Sequence, residues 1–200
     1  WTSLYESKSG ERGIFNREAA IKQALKNGRR NIYTGLKHPL TKLPLEYEYG
    51  CNPCSEIILR PYQFCNLSEV VVRESDTVET LKEKVRLATI LGTFQATLTN
   101  FKYLRKIWKD NTEQERLLGV SLTGIMDNAV TAGQSAKLGT NIGQILETLR
   151  DVAIDSNKAM AWELGIEQSA AITCVKPSGT VSQLVDSASG IHARHNPYYI

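Results

Sequence analysis

Two hundred residues, 42% hydrophobic and 22% charged, describe one folded unit or a large part of one, with enough apolar material for a core. A net charge of +3 is too small to mark a nucleic-acid surface or a membrane patch, although it allows a basic pocket for a small anion. Four cysteines, three of them within fifteen positions, make no secreted disulfide framework, no apolar run nears the ~20 residues of a membrane span, and no signal-peptide pattern opens the chain.

The chain starts at Trp1 without a methionine and stops on the apolar Tyr198-Tyr199-Ile200, which reads as an excerpt of a longer protein. Residues 1–9 read as a helix end running into the polar loop Gly10-Glu11-Arg12-Gly13. Asn16 is placed to cap a helix through Ala19, Ile21 and Ala24, with Gly28 as its stop. The connection 29–50 holds Gly35, Pro39 and Pro44 and shows little periodicity. Two short β-like runs follow, Ile57–Leu59 and Val70–Val72, separated by Pro61-Tyr62-Gln63.

Asp76-Thr77-Val78-Glu79 has the form of a capping box, with the acid at the cap and Glu79 three residues on. From it Val78, Leu81, Val85, Ala88 and Leu91 keep helical spacing to about Asn100, and a shorter helical piece covers 101–109. Leu117–Leu122 is a buried-strand candidate ending in Thr123-Gly124. A second long helix spans about 139–164 and stops at Gly165. Ala171–Val175 is an apolar strand that leads into Lys176-Pro177-Ser178-Gly179-Thr180-Val181-Ser182. Strands alternating with long helices predict an α/β fold with a mostly parallel sheet and crossover helices packed on it.

Chemistry concentrates in Cys51-Asn52-Pro53-Cys54-Ser55-Glu56, with Cys65 eleven positions after Cys54. Pro53 holds its own φ near −65° and biases Asn52 toward extended geometry, so a loop presents Cys54. In an extended piece, Asn52, Cys54 and Glu56 would alternate onto one face, setting an amide, a thiol and a carboxylate toward one pocket. Reversal at Pro61-Tyr62-Gln63 would bring Cys65 back to that loop. Two thiols with an acid and an amide suit redox or radical chemistry on a small polar substrate. A buried apolar cysteine pair gives the same composition.

Pro177, Ser178, Gly179, Thr180 and Ser182 offer hydroxyls and backbone N–H groups between a strand and a short helix, which suits an anion such as phosphate. An ordinary capped turn has the same residues, and the Walker pattern is absent. Cys51/Cys54 form a CxxC and His192/His195 an HxxH, but neither has a finger-type partner, so no metal site is expected.

Three stretches resemble the ribonucleotide reductase catalytic subunit in that family's order. Asn52–Ile57 is similar to its thiyl-radical loop, Gln63–Val70 to the strand carrying one reducing cysteine, and Val175–Thr180 to its substrate-phosphate loop. Ser7–Gly13 and Leu118–Gly124 also look familial. The Asn-Pro-Cys form, the short Cys54-to-Cys65 spacing and the Tyr198-Tyr199-Ile200 ending look most like the adenosylcobalamin-dependent, class II, triphosphate-reducing branch.

The resemblance implies part of a ten-stranded α/β barrel with a central finger loop, residues 1–200 being a partial catalytic barrel domain of a longer, cytoplasmic reductase. It implies ribonucleotide as substrate, adenosylcobalamin as cofactor, a thioredoxin-like reductant, and no nucleic-acid or membrane partner. Cys54 would carry the radical that takes the ribose 3′ hydrogen, Glu56 would act as base toward the 3′ hydroxyl, and Asn52 would bind the sugar hydroxyls. Cys65 would be one of two thiols that reduce the 2′ position. Ser178, Gly179, Thr180 and Ser182 would hold the phosphates. The second reducing cysteine and the C-terminal shuttle cysteines would lie outside this chain, so the isolated piece is expected to be inactive. Cys51 receives no role and Cys174 reads as a core strand residue. Alternative readings are the oxygen-dependent class I large subunit, a non-catalytic nucleotide-binding module, and a zinc-stabilised module.

Overall fold

The structure, a computed structural model, describes residues 1–10, 13–26, 30, 42, 49–134, 141–196 and 198. The expected stop at Gly28, most of the connection 29–50, the Glu11-Arg12 loop and Tyr199-Ile200 fall outside these residues.

Helix α1 spans Thr2–Ser7 and α2 spans Arg17–Leu25. Asn16 caps α2, its side-chain oxygen accepting from Ala19 N at 2.9 Å, as the sequence predicts. Two short antiparallel strands, β1 (Gly50–Cys51) and β2 (Ile58–Leu59), form a hairpin. β3 runs Asn66–Val71, starting four residues before the expected Val70 because Asn66–Ser68 also pair with the neighbouring strand.

The capping box at the next helix is not the expected one. Thr77 is the cap, and it exchanges hydrogen bonds with Thr80, while Asp76 instead accepts from the Thr80 hydroxyl at 2.9 Å. α3 (Val78–Gln95) ends five residues short of Asn100, where Thr97 N and Leu98 N turn to carbonyls three residues back. α4 covers Lys106–Glu115 rather than 101–109. β4 (Leu118–Thr123) is buried nearly throughout, as expected. α5 (Ile142–Leu164) is capped by Asn141 and stopped by Gly165 at φ 63°, a left-handed turn that favours glycine. The short α6 covers Val181–Leu184.

β3 and β4 pair in parallel from Asn66↔Leu118 to Val71↔Thr123, with α3 and α4 in the crossover. The expected strand 171–175 forms a single bridge, Thr173 to Val120, supported by Leu118 N→Ala171 O, Val120 N→Ile172 O and Cys174 N→Val120 O. It therefore lies on the other side of β4, reached through α5. Each parallel strand adds beside the last, and α3 and α5, one from each crossover, pack on one face. The core there joins Val70, Val72, Leu118, Val120 and Ile172 to Leu81 and Val85 of α3 and to Ile145, Leu149 and Ala153 of α5. Buried Asn157 on α5 is fully engaged, donating to Thr93 and Ser169 hydroxyls and accepting from Ser169 N.

The opposite face of the sheet receives the β1–β2 hairpin. Gly119 makes this possible: a Cβ there would stand 2.5 Å from Leu67 Cδ2 and 3.1 Å from both Cys174 Sγ and Ile57 Cδ1. The absent side chain lets Ile57 lie against the sheet beside Cys174.

Candidate active site

The hairpin turn is built by Asn52. Its backbone carbonyl accepts from Ser55 N at 2.9 Å, and its side-chain oxygen accepts from Ile57 N at 3.0 Å. Pro53 sits inside that turn and Ser55 is left-handed at φ 64°, so Cys54 stands exposed at the tip as a free thiol. The segment is a tight turn, not an extended strand. Strand alternation therefore does not gather Asn52 and Glu56. The turn does, with Asn52 Nδ2 donating to Glu56 Oε1 at 2.5 Å.

Two anchor points hold the hairpin. At its base Arg30 donates to Glu115 Oε1 at 3.0 Å and Oε2 at 2.9 Å and also to Ile58 O at 2.8 Å. Arg60 lies 3.2 Å from Glu115 Oε2, and Gln63 donates to the same oxygen at 2.5 Å. Burial pulls the Arg60 guanidinium down to about 10, against the opposing charge of Glu115. Burial also acts to raise the Glu115 carboxyl, but hydrogen bonds and charge from Arg30, with Arg60 behind, hold it below the usual carboxylate range.

At its tip Lys176 donates to Glu56 Oε1 at 2.9 Å. Burial alone would raise the Glu56 carboxyl. The Lys176 hydrogen bond, its own backbone N–H, the Asn52 amide and the Lys176 charge outweigh burial and hold it low. Glu56 first, and then the nearby Cys54, raise the Lys176 ammonium above its ordinary value. Glu56 Oε2 is buried with no hydrogen-bond partner among the described residues.

Cys65, immediately before β3, is half-buried and packs with Cys174 against Ile57 and Leu117. Burial, then the neighbouring Cys174 and Glu56, push its thiol up to about 12. Burial and Glu56 push Cys174 to about 12 as well, so both are un-ionised at neutral pH. Cys174 donates its backbone N–H to Val120 O beside the Thr173 bridge and packs against the buried Ile57 and Leu117, as the sequence implied, and it also neighbours the Glu56 carboxylate. Glu69, two residues along the same face from Leu67, has its carboxyl raised by burial against the partial relief of Lys176. Lys176, Cys174 and Glu69 are the site neighbours that residue spacing missed.

Pro177–Thr180 follows directly. Gly179 is left-handed at φ 57°, and Gly179 and Thr180 are exposed. The Ser178 hydroxyl is 2.9 Å from that of Ser189. Ser182 corrects the expectation of an outward hydroxyl: it is fully buried and donates to Gly179 O at 3.0 Å, so it shapes the loop. The loop's other side rests on Gly190, whose N–H donates to Thr123 Oγ1 at 2.9 Å. No described group of three His, Cys, Asp or Glu is arranged to hold a metal, and His192 and His195 are exposed. No described helix is long and apolar enough to cross a membrane.

An exposed thiol on a turn, a buried carboxylate with one oxygen unpartnered among the described residues, and a second, half-buried thiol beneath stand together on an α/β scaffold. No family model matches the chain. Among curated proteins it is 30% identical over 172 residues to the adenosylcobalamin-dependent ribonucleoside-triphosphate reductase of Lactobacillus acidophilus, covering 76% of this chain and 23% of that protein. The enzyme of the same name from Lacticaseibacillus paracasei is 30% identical over 171 residues, with the same coverage. That of Euglena gracilis is 28% identical over 153 residues, covering 75% of this chain and 20% of the relative. The fold is similar to a crystal structure of a B-12 dependent (class II) ribonucleotide reductase, with a TM-score of 0.57 and 22% identity over 80% of this chain and 24% of that one. The chain is a relative of the ribonucleotide reductases, and it spans less than a quarter of the length of the curated relatives it matches.

Proposed function

We propose that this chain is a segment of the catalytic barrel domain of an adenosylcobalamin-dependent ribonucleotide reductase, with the β1–β2 hairpin as its finger loop. The observation that carries the reading is the division of labour on Glu56, two residues along the turn from Cys54: Oε1 is held by Lys176 and Asn52, while Oε2 is buried with no hydrogen-bond partner among the described residues. A carboxylate so held is a ready base for a hydroxyl brought to Oε2.

Adenosylcobalamin supplies radical chemistry when bound, and Cys54, exposed at the tip, is the residue of this chain that fits such a partner. Cys54 as a thiyl takes the ribose 3′ hydrogen while Glu56 Oε2 accepts the 3′ hydroxyl proton. Asn52, fixed by its turn, orients the sugar hydroxyls. Cys65, kept as a thiol by burial, supplies one of the two S–H groups that replace the 2′ hydroxyl by hydrogen. The hydroxyl leaves as water, Cys54 returns its hydrogen atom to the 3′ carbon and regenerates the thiyl, and the two sulfurs end as a disulfide, the second thiol coming from outside this chain. A thioredoxin-like dithiol in the cytoplasm then restores the pair. Exposed Gly179 and Thr180 meet the substrate phosphates, with Pro177, Ser178 and Ser182 shaping the loop.

The test is deoxynucleotide formation by the full-length protein with ribonucleoside triphosphate, adenosylcobalamin and a dithiol. Turnover is expected without any second protein and is expected to vanish with Cys54→Ala. Turnover that requires a separate radical-generating subunit would move the assignment to the class I branch, and normal turnover by the Cys54 variant would overturn it.

A further inference from the structure

Lys176 has no role in the proposed reaction, yet it holds the Glu56 carboxylate at its centre and lies near Cys54. It comes from a different part of the chain from Glu56, 120 positions away. Its side chain is 25% exposed while that of Glu56 is 1% exposed, so the pair sits at the lip of the site with the carboxylate on the inner side. The residue after it is Pro177, which restrains Lys176 to extended backbone and fixes where the ammonium can reach. Wherever the Pro177–Thr180 loop sits, the ammonium follows.

We infer that Lys176 is a positioning residue: it holds the Glu56 carboxylate by Oε1 so that Oε2 points at the substrate hydroxyl, and it ties that alignment to the seating of the Pro177–Thr180 loop. The inference rests on the reductase reading above. Oε1 already accepts from both Lys176 and Asn52, which restrains the plane of the carboxylate as well as its charge. The other ionisable groups facing Glu56 are the thiols of Cys65 and Cys174, and Lys176 in turn faces Cys54 and Glu69. Lys176 is therefore the cation that keeps Glu56 deprotonated against its own burial.

The experiment uses the full-length protein with Lys176→Met and Lys176→Arg. In Lys176→Met, kcat should fall by about tenfold or more, as part of the ~10²–10⁴-fold that a positioned base contributes. KM should change little, and the acid limb of the pH–rate profile should move to higher pH. Lys176→Arg should recover most of the rate and return the limb toward its original position. An unchanged acid limb, or a loss confined to KM, would overturn the inference. The second measurement needs no turnover: melting temperatures of Lys176→Met, Glu56→Gln and the double variant. The two substitutions should be non-additive, and additivity would refute the pair. A protein that forms no deoxynucleotide thus defeats the reductase reading, while the melting cycle still decides whether Lys176 holds Glu56.

Discussion

Glu115 and Glu56 anchor opposite ends of one hairpin, and they differ in how completely they are paired. Glu115 is wholly enclosed, with Arg30 on both oxygens and Arg60 and Gln63 on one. Glu56 is almost as enclosed, with its side chain 1% exposed, but Lys176 and Asn52 share one oxygen and the other has no partner among the described residues. A carboxylate whose lone pairs are all used can only hold structure. One that is held by half can still accept a proton, and leaving it so is unfavourable unless a ligand completes it. The base of the hairpin is thus fully paired, while the tip leaves one carboxylate oxygen without a partner among the described residues.

The largest way to break this contrast acts on the tip alone. Cys54→Ala and Cys65→Ser in the full-length protein should each abolish deoxynucleotide formation, with the melting temperature nearly unchanged. Cys51→Ser should retain most activity, since Cys51 only donates a long 3.5 Å contact to Ser55. Next, Glu56→Gln should lower turnover by ~10²–10⁴-fold while stability changes little. Glu115→Ala should do the reverse. Removing the acid strands two buried guanidiniums, which should cost about 3–5 kcal/mol in chemical denaturation, with activity lost only as the fold is lost.

Gly119→Val should cost about 1–3 kcal/mol by overpacking. It should also lower turnover, because the new methyls meet Ile57 and Cys174 and lift the hairpin from the sheet. The smallest effect should come from the surface, where Thr77→Ala removes the cap of α3 and should cost about 1 kcal/mol with no change in kcat. Acid acts on both ends of the hairpin together. Each carboxyl lies below its ordinary value of 4.5 in the folded protein, so the stability it adds is fully present above that pH. It is lost as pH falls through the folded values, and Glu115→Gln should flatten that acid limb more than Glu56→Gln.

Asn16, Gly165 and β4 could be read from the chain because each rests on neighbours a few positions away. The box at α3 was misassigned by one residue because Asp76 and Thr77 are both good caps, and only packing decides between them. The site was half legible. Asn52, Cys54 and Glu56 stand close together in the chain, and so meet in any turn, although by a turn and not by strand alternation. Lys176 lies 120 positions from its partner and Arg30 lies 85 from Glu115, and no local pattern marks either.

By itself, the sequence determined the alternation of strands and helices, the placement of the thiols, and a loop that presents Cys54, since proline geometry, helix caps and apolar periodicity act within a few residues. Only the tertiary structure decided which cation meets which carboxylate, that Cys174 stands beside Cys65, and that one oxygen of Glu56 has no partner among the described residues. Those contacts depend on the hairpin lying across a sheet at Gly119, and that packing joins residues far apart in the chain.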